Sequence, residues 1–259
     1  MTFHARRLTT VAMSIAAACT LAAPAGAVIL NGGVSARPST SYIGVFNGGT
    51  AVAVGPRTIL TAAHVGGSSG DRFRLGGSSY TATETITSPT ADLMRITLDR
   101  DLPGWYPIAD GGLKKGAKLI IAGFGITSDG RNRAGFNWSD ERAEVWGTNR
   151  LDSFANGSLW FKFDQRSGSQ EAILTPGDSG GAVFITGPGG ELQLAGINRG
   201  VYLRARGRAT FGDTSVATNL TANSSFLAGL AGLSAVPAPA AAPVFALAGC
   251  LVSRRRRGS

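Results

Sequence analysis

Cysteine is almost missing from this 259-residue sequence: its two copies, Cys19 and Cys250, stand near opposite ends. Everything between them is free of thiols, which excludes an internal disulfide framework and leaves the fold to burial alone. Histidine is as scarce, with His4 and His64 the only two. No apolar run reaches the roughly 20 residues of an unaided membrane span. No cluster of ligating residues has metal-site spacing, and no glycine-rich loop fits a phosphate, so no metal or organic cofactor is expected. No fixed-period repeat is present.

Acidic residues are also missing from both ends. The Lys and Arg excess of 25 over 16 Asp and Glu gives a net charge of +9. Six of the basic residues lie in the terminal segments (Arg6, Arg7 and Arg254 to Arg257) and no acid does, so the remainder carries 19 − 16 = +3. The charge therefore belongs to targeting segments and is no nucleic-acid footprint. Arg204, Arg206 and Arg208 alternate with Leu203, Ala205 and Gly207, as on the solvent face of a strand.

Those ends have recognisable designs. Arg6 and Arg7 precede a short apolar stretch from Val11 to Ala23, and Ala25 and Ala27 follow. This is the layout of a secretory signal peptide, residues 1–27, with cleavage after Ala27. A lipoprotein site at Cys19 is disfavoured because Ala16, Ala17 and Ala18 precede it without a leucine. At the other end, Val236-Pro237-Ala238-Pro239, an apolar stretch from Ala240 to Val252 and an arginine block form a segment of their own, 234–259. It reads as a sorting or anchor signal. The chain is thus expected to be exported to a cell envelope or surface, or secreted, with transient or lasting membrane attachment through residues 240–257.

Between these ends, short β-like runs are separated by turn residues. They include Tyr42-Phe46, Ala51-Val54, Thr58-Thr61, Tyr80-Thr87, Leu93-Leu98, Lys118-Phe124, Ala143-Thr148, Leu159-Phe163, Ala182-Thr186, Leu192-Ile197 and Val216-Leu220. Such spacing predicts antiparallel sandwiches or barrels. The glycine-flanked stretch Gly111 to Gly116 is the best internal boundary, giving units at 28–113 and 114–233. Ser128 to Asp140 reads as a long exposed loop and Ala222 to Leu230 as a terminal helix.

Three segments carry chemistry. His64 follows the run Thr58-Ile59-Leu60-Thr61 through two alanines that let an imidazole sit against backbone. Asp92 shares the alternating face of Met94, Ile96 and Leu98, the face expected to be buried. A carboxylate there needs a hydrogen-bond partner, and an imidazole Nδ1–H supplies one. Thr175-Pro176-Gly177-Asp178-Ser179-Gly180-Gly181 places a serine on a tight bend framed by glycines. Acyl transfer requires two N–H groups aimed at a developing oxyanion, here those of Gly177 and Ser179. A serine hydroxyl also needs a base near neutral pH, and His64 is the sole candidate outside the signal segment.

Taken in order, Thr61-Ala62-Ala63-His64, Asp92-Leu93-Met94 and Gly177-Asp178-Ser179-Gly180-Gly181 resemble the three active-site motifs of the chymotrypsin/trypsin-like serine peptidases. Ile29-Leu30-Asn31-Gly32, Gly123-Phe124-Gly125 and Leu194-Ala195-Gly196-Ile197 extend the resemblance across residues 29 to 231. It implies an all-β fold of two packed six-stranded antiparallel β-barrels with a short C-terminal helix, His64 and Asp92 on the first barrel and Ser179 on the second. It further implies a serine endopeptidase acting on polypeptides, with Asp178 receiving the ammonium of a new N-terminus at Ile29. The tail resembles the PEP-CTERM sorting signals, which implies processing by an exosortase after signal peptidase.

The sequence departs from the family pattern in instructive places. By resemblance the specificity pocket is lined by Ile173, Asn198, Gly200 and Asp213, with Ile173 where a carboxylate selects Arg or Lys. An apolar base predicts cleavage after uncharged residues. Arg199 stands where the family has Trp, Thr175 occupies a region usually tied by a disulfide, and cleavage after Ala27 leaves Val28 ahead of Ile29. Two other readings are an inactive adhesion or binding module on the same scaffold and an esterase of a different fold. The latter lacks the α/β alternation it needs.

Overall fold

The computed structural model describes residues 29–30 and 40–230, apart from 112, 133, 134, 167 and 229. The expected signal peptide and the C-terminal segment 234–259 lie outside the described residues.

The first unit follows from alternation and tight turns. After β1 (Ile29–Leu30) come β2 (Ile43–Phe46), β3 (Gly49–Gly55), β4 (Thr58–Thr61), β5 (Arg72–Leu75), β6 (Ser78–Thr87) and β7 (Met94–Leu98). β2 to β7 close into a barrel in the order β2-β3-β4-β7-β6-β5. Closure removes sheet edges and lets one face of each strand fill the interior. In β7, buried Met94, Ile96 and Leu98 alternate with half-buried Arg95 and Thr97, as the sequence period predicts. Phe46, Ile59, Leu60, Phe73 and Ile96 are fully enclosed.

The second unit holds β8 (Lys118–Gly123), β9 (Ile126–Asn132), β10 (Gly135–Arg142), β11 (Val145–Arg150), β12 (Ser153–Ala155), β13 (Ser158–Lys162), β14 (Ala172–Ile173), β15 (Ala182–Thr186), β16 (Leu192–Tyr202), β17 (Arg208–Ala209) and β18 (Thr214–Asn219). Seven of these strands curl into a half-barrel sheet, ordered β11-β8-β15-β16-β18-β13-β12, which packs as the counterpart of the closed barrel. β17, β10 and β9 make a separate three-stranded sheet, and β1 pairs with β14.

Two local expectations are corrected. Residues 128–140 are no exposed loop: β9 and β10 form an antiparallel hairpin with register shifts around Trp138, and Phe136 is buried. Its glycines and mixed polarity hide the strand period. The expected helix over 222–230 is a 3-10 turn, Thr221–Asn223, continued by i→i−3 bonds from Phe226, Leu227 and Leu230.

The two units dock through a shared core. Tyr106 donates its backbone N–H to Ala53 of the first barrel, whereas the next residue, Pro107, accepts from Leu194 of the second. The crossing thus lies just ahead of the Gly111 boundary. The Tyr106 ring meets those of Tyr42 and Phe184 at tilted angles of 58° and 60°, with ring centroids 5.4 and 4.6 Å apart. Each such pair adds about 1 kcal/mol beyond its buried area.

Candidate active site

His64 sits in a 3-10 turn, Ala63–Val65, at the end of β4, with its imidazole about half exposed. Asp92 lies two residues before β7 and keeps 17% of its side chain exposed. Two contacts fix the pair: the His64 backbone N–H donates to Asp92 Oδ1 (2.9 Å), and His64 Nδ1 lies 2.8 Å from Asp92 Oδ2. The Asp92 carbonyl accepts from the Thr218 hydroxyl at 3.0 Å, anchoring this corner of the first barrel to β18. The Asp92 carboxylate and the His64 imidazole are thus in hydrogen-bonding contact.

Ser179 arrives from the other unit. The segment from Thr175 folds into successive turns, with Asp178 N donating to the Thr175 carbonyl (3.1 Å) and Gly181 N to the Asp178 carbonyl (2.9 Å). Gly180 N and the Asn198 carbonyl (2.8 Å) pin the bend to β16. Ser179 Oγ is thereby placed 2.8 Å from His64 Nε2. Asp92, His64 and Ser179 thus form one unbroken hydrogen-bonded chain across the interface between the units.

Two glycines permit this bend. Gly177 has φ +96° and Gly180 φ +82°, left-handed values that a side chain resists. A Cβ on Gly180 would also collide with the Thr50 carbonyl and the Thr61 hydroxyl. The N–H groups of Gly177 and Ser179 have no protein partner among the described residues. Free backbone donors at and just before the serine are what an oxyanion hole requires.

Two threonines outside the expected catalytic set hold the loop. Thr50, fully buried on β3, donates its N–H to the Ser179 carbonyl (2.8 Å) and its hydroxyl to the Gly177 carbonyl (3.0 Å). Its hydroxyl also accepts from Phe124 N (2.9 Å). Thr175 donates both its N–H (2.8 Å) and its hydroxyl (3.0 Å) to Asp178 Oδ2, while Gly125 N donates to Oδ1 (2.9 Å). Asp178 is fully buried, and burial pushes its carboxyl up to about 7 against the lowering pull of Thr175, Gly125 and the Arg142 charge. The Val28–Ile29 junction expected to supply an ammonium lies at the edge of the described residues, and Asp178 receives its three hydrogen bonds without it. No one-dimensional signal marks Thr50, whereas Thr175 stood out by its place.

Of the expected specificity residues, Ile173, Asn198 and Asp213 are fully buried. Ile173 is fully enclosed with Phe136, Phe163 and Ala209, and presents no surface to a ligand. Phe163 and Phe211 stack at 4.8 Å, with Phe136 edge-on to both, so aromatic rings occupy this region. Asp213 is also enclosed: it accepts from the backbone N–H groups of Arg204 and Thr210, both at 2.7 Å, and so closes a loop. Asn198 is buried, donating to the Ala122 carbonyl at 3.1 Å, with its Oδ1 unpartnered. Only Gly200 borders open space. Beside it Arg199 leaves the β16–β18 register at a bulge and brings Nε within 3.7 Å of Asp92 Oδ2.

Among the described residues no group of three or more His, Cys, Asp and Glu could hold a metal ion, and no helix is long and apolar enough to cross a membrane. A comparison with curated proteins finds no match. A protein-family model described as Trypsin matches residues 29–223.

Proposed function

We propose, from the premise that the chain belongs to the trypsin family of serine peptidases, that it is an exported endopeptidase working through Ser179, His64 and Asp92. The observation that carries this reading is the pair of 2.8 Å contacts joining the three side chains. A substrate strand runs along the free edge of β16 beyond Ile197, where β15 pairing ends. Ser179 Oγ attacks the scissile carbonyl carbon as its proton passes to His64 Nε2. The carbonyl oxygen becomes an oxyanion held by the N–H groups of Gly177 and Ser179.

Collapse of that intermediate breaks the C–N bond, and His64 returns its proton to the departing amine. An ester to Ser179 remains. Water then attacks the ester with His64 again taking a proton, and the acid is released as Ser179 regains its hydrogen. Asp92 keeps Nδ1–H of the imidazole fixed and balances the charge formed on the ring.

The aromatic filling around Ile173 supports preference for small, uncharged residues ahead of the cleaved bond, since neither space nor a free carboxylate is offered to a long or cationic side chain. Export rests on residues 1–27 and attachment or sorting on 234–259, by signal peptidase and exosortase. Hydrolysis of alanine-rich peptides tests the reading: wild-type protein should cleave internal bonds, and Ser179→Ala should not. Cleavage by the variant at the wild-type rate would refute it.

A further inference from the structure

We infer that the leaving-group side of the cleft is a basic subsite selecting acidic residues shortly after the cleaved bond; this deepens the peptidase reading and rests on it. If the acyl part of a substrate lies along β16, the leaving part crosses Ser179 toward the β2–β3 turn. Gly49 lies at that turn, its Cβ position 3.0 Å from the Ser179 carbonyl. Its neighbour Gly48 opens into a recess of about 200 Å³ lined by Val45, Asn47, Gly48, Asp71, Arg72 and Arg74.

Three guanidinium groups border this path. Arg72 and Arg74 are one strand period apart on β5, both exposed, while Phe73 between them is fully buried. Neither forms an ion pair with another of the described residues. The third, Arg142, ends the β9–β10 hairpin of the second unit. Its Nη2 donates to the Gly48 carbonyl at 2.8 Å, and its guanidinium packs against Gly177 so closely that any Cβ there would collide with it. Arg142 therefore bridges the two units beside the reacting centre. Asp71 is the one acid on the recess, and its Oδ2 already accepts from Ser68 N at 2.7 Å.

Exposed guanidinium groups on a concave wall match carboxylates by charge and by forked hydrogen bonding. An exposed pair contributes little singly, so each acidic side chain should raise kcat/KM by about two- to fivefold. The effect should shrink as salt rises.

The test uses internally quenched peptides sharing an alanine acyl side and carrying Ala, Asp or Lys at the second and third residues after the bond. Wild-type protein should prefer Asp over Ala and Ala over Lys. Arg72→Ala/Arg74→Ala should level the series, while hydrolysis of a 4-nitroanilide with the same acyl side, which lacks those residues, should stay unchanged. Protein that reacts with a fluorophosphonate at Ser179 yet cleaves all three peptides alike overturns the inference and leaves the peptidase reading standing. If Ser179 does not react, the peptidase reading fails, and anisotropy with the fluorescein-tagged Asp and Ala peptides on Ser179→Ala protein decides the subsite. Tighter binding of the Asp peptide, lost with Arg72→Ala/Arg74→Ala, supports it, and equal binding overturns it.

Discussion

Thr175 gives Asp178 two hydrogen bonds, one from its backbone N–H and one from its hydroxyl, inside a site where the carboxyl is fully buried. The hydroxyl reaches further, donating to the Ile126 carbonyl at 2.8 Å. Asp178 immediately precedes Ser179, so whatever orients it orients the Gly177 and Ser179 N–H groups.

Thr175→Val keeps the shape and removes the hydroxyl. Leaving a buried carboxyl short of a donor costs about 1–3 kcal/mol. We expect kcat to fall about tenfold with KM little changed, because the oxyanion donors act on the intermediate more than on bound substrate. Steady-state kinetics beside thermal denaturation checks this. An unchanged kcat in a destabilised protein would confine Thr175 to stability.

Thr50 ties the first barrel to the loop of the second through Ser179 and Gly177. Thr50→Val should destabilise the protein by about 1–3 kcal/mol and lower kcat, since the Phe124 N–H and the Gly177 carbonyl lose their shared partner. Denaturant melts of both variants give the comparison. Wild-type stability and turnover would contradict the assigned role.

Glu171 is buried, with Oε2 unpartnered, and burial pushes its carboxyl up to about 7. Asp178 is raised to about 7 in the same sense. A carboxyl with a raised folded-state pKa stabilises the fold below its unfolded value, and that contribution is lost as pH rises through the folded one. Thermal stability should therefore decline between about pH 4.5 and 7. Glu171→Gln should flatten the decline and melt higher at neutral pH. An equally steep decline in the variant would contradict this.

Phe211 packs on Phe163 and Phe136 beside Ile173, the residue that the proposed reading puts at the base of the primary pocket. Among 4-nitroanilide substrates ending in Ala, Phe or Arg, we expect Ala to be cleaved fastest and Arg slowest. Phe211→Ala should raise the relative rate for Phe by about tenfold, the scale of a few methylenes in an apolar pocket. A wild-type preference for Arg would overturn the proposed specificity.

Local patterns made the all-β class legible: alternation in Met94–Leu98, the short runs around them, and the glycine-framed serine all match the structure. The meeting of His64, Asp92 and Ser179 was legible because each motif is short and self-contained, and His64 is the one histidine beyond residues 1–27. The enclosure of Ile173 and Asp213 was not legible, because their surroundings come from distant segments. Phe136 joins the cluster around Ile173 from a hairpin whose strand period is obscured by glycines, and Asp213 accepts from backbone amides that carry no side-chain signature. Thr50 and Arg142 matter only through contacts across the cleft, which no local pattern encodes.

The central claim, that Ser179 is a nucleophile activated by His64, is tested most directly by fluorophosphonate labelling with the modified residue located by mass spectrometry. Wild-type protein should be modified at Ser179, and folded His64→Ala protein should react slower by several orders of magnitude. Equal reaction of the two, or no modification of folded wild-type protein, would contradict the account.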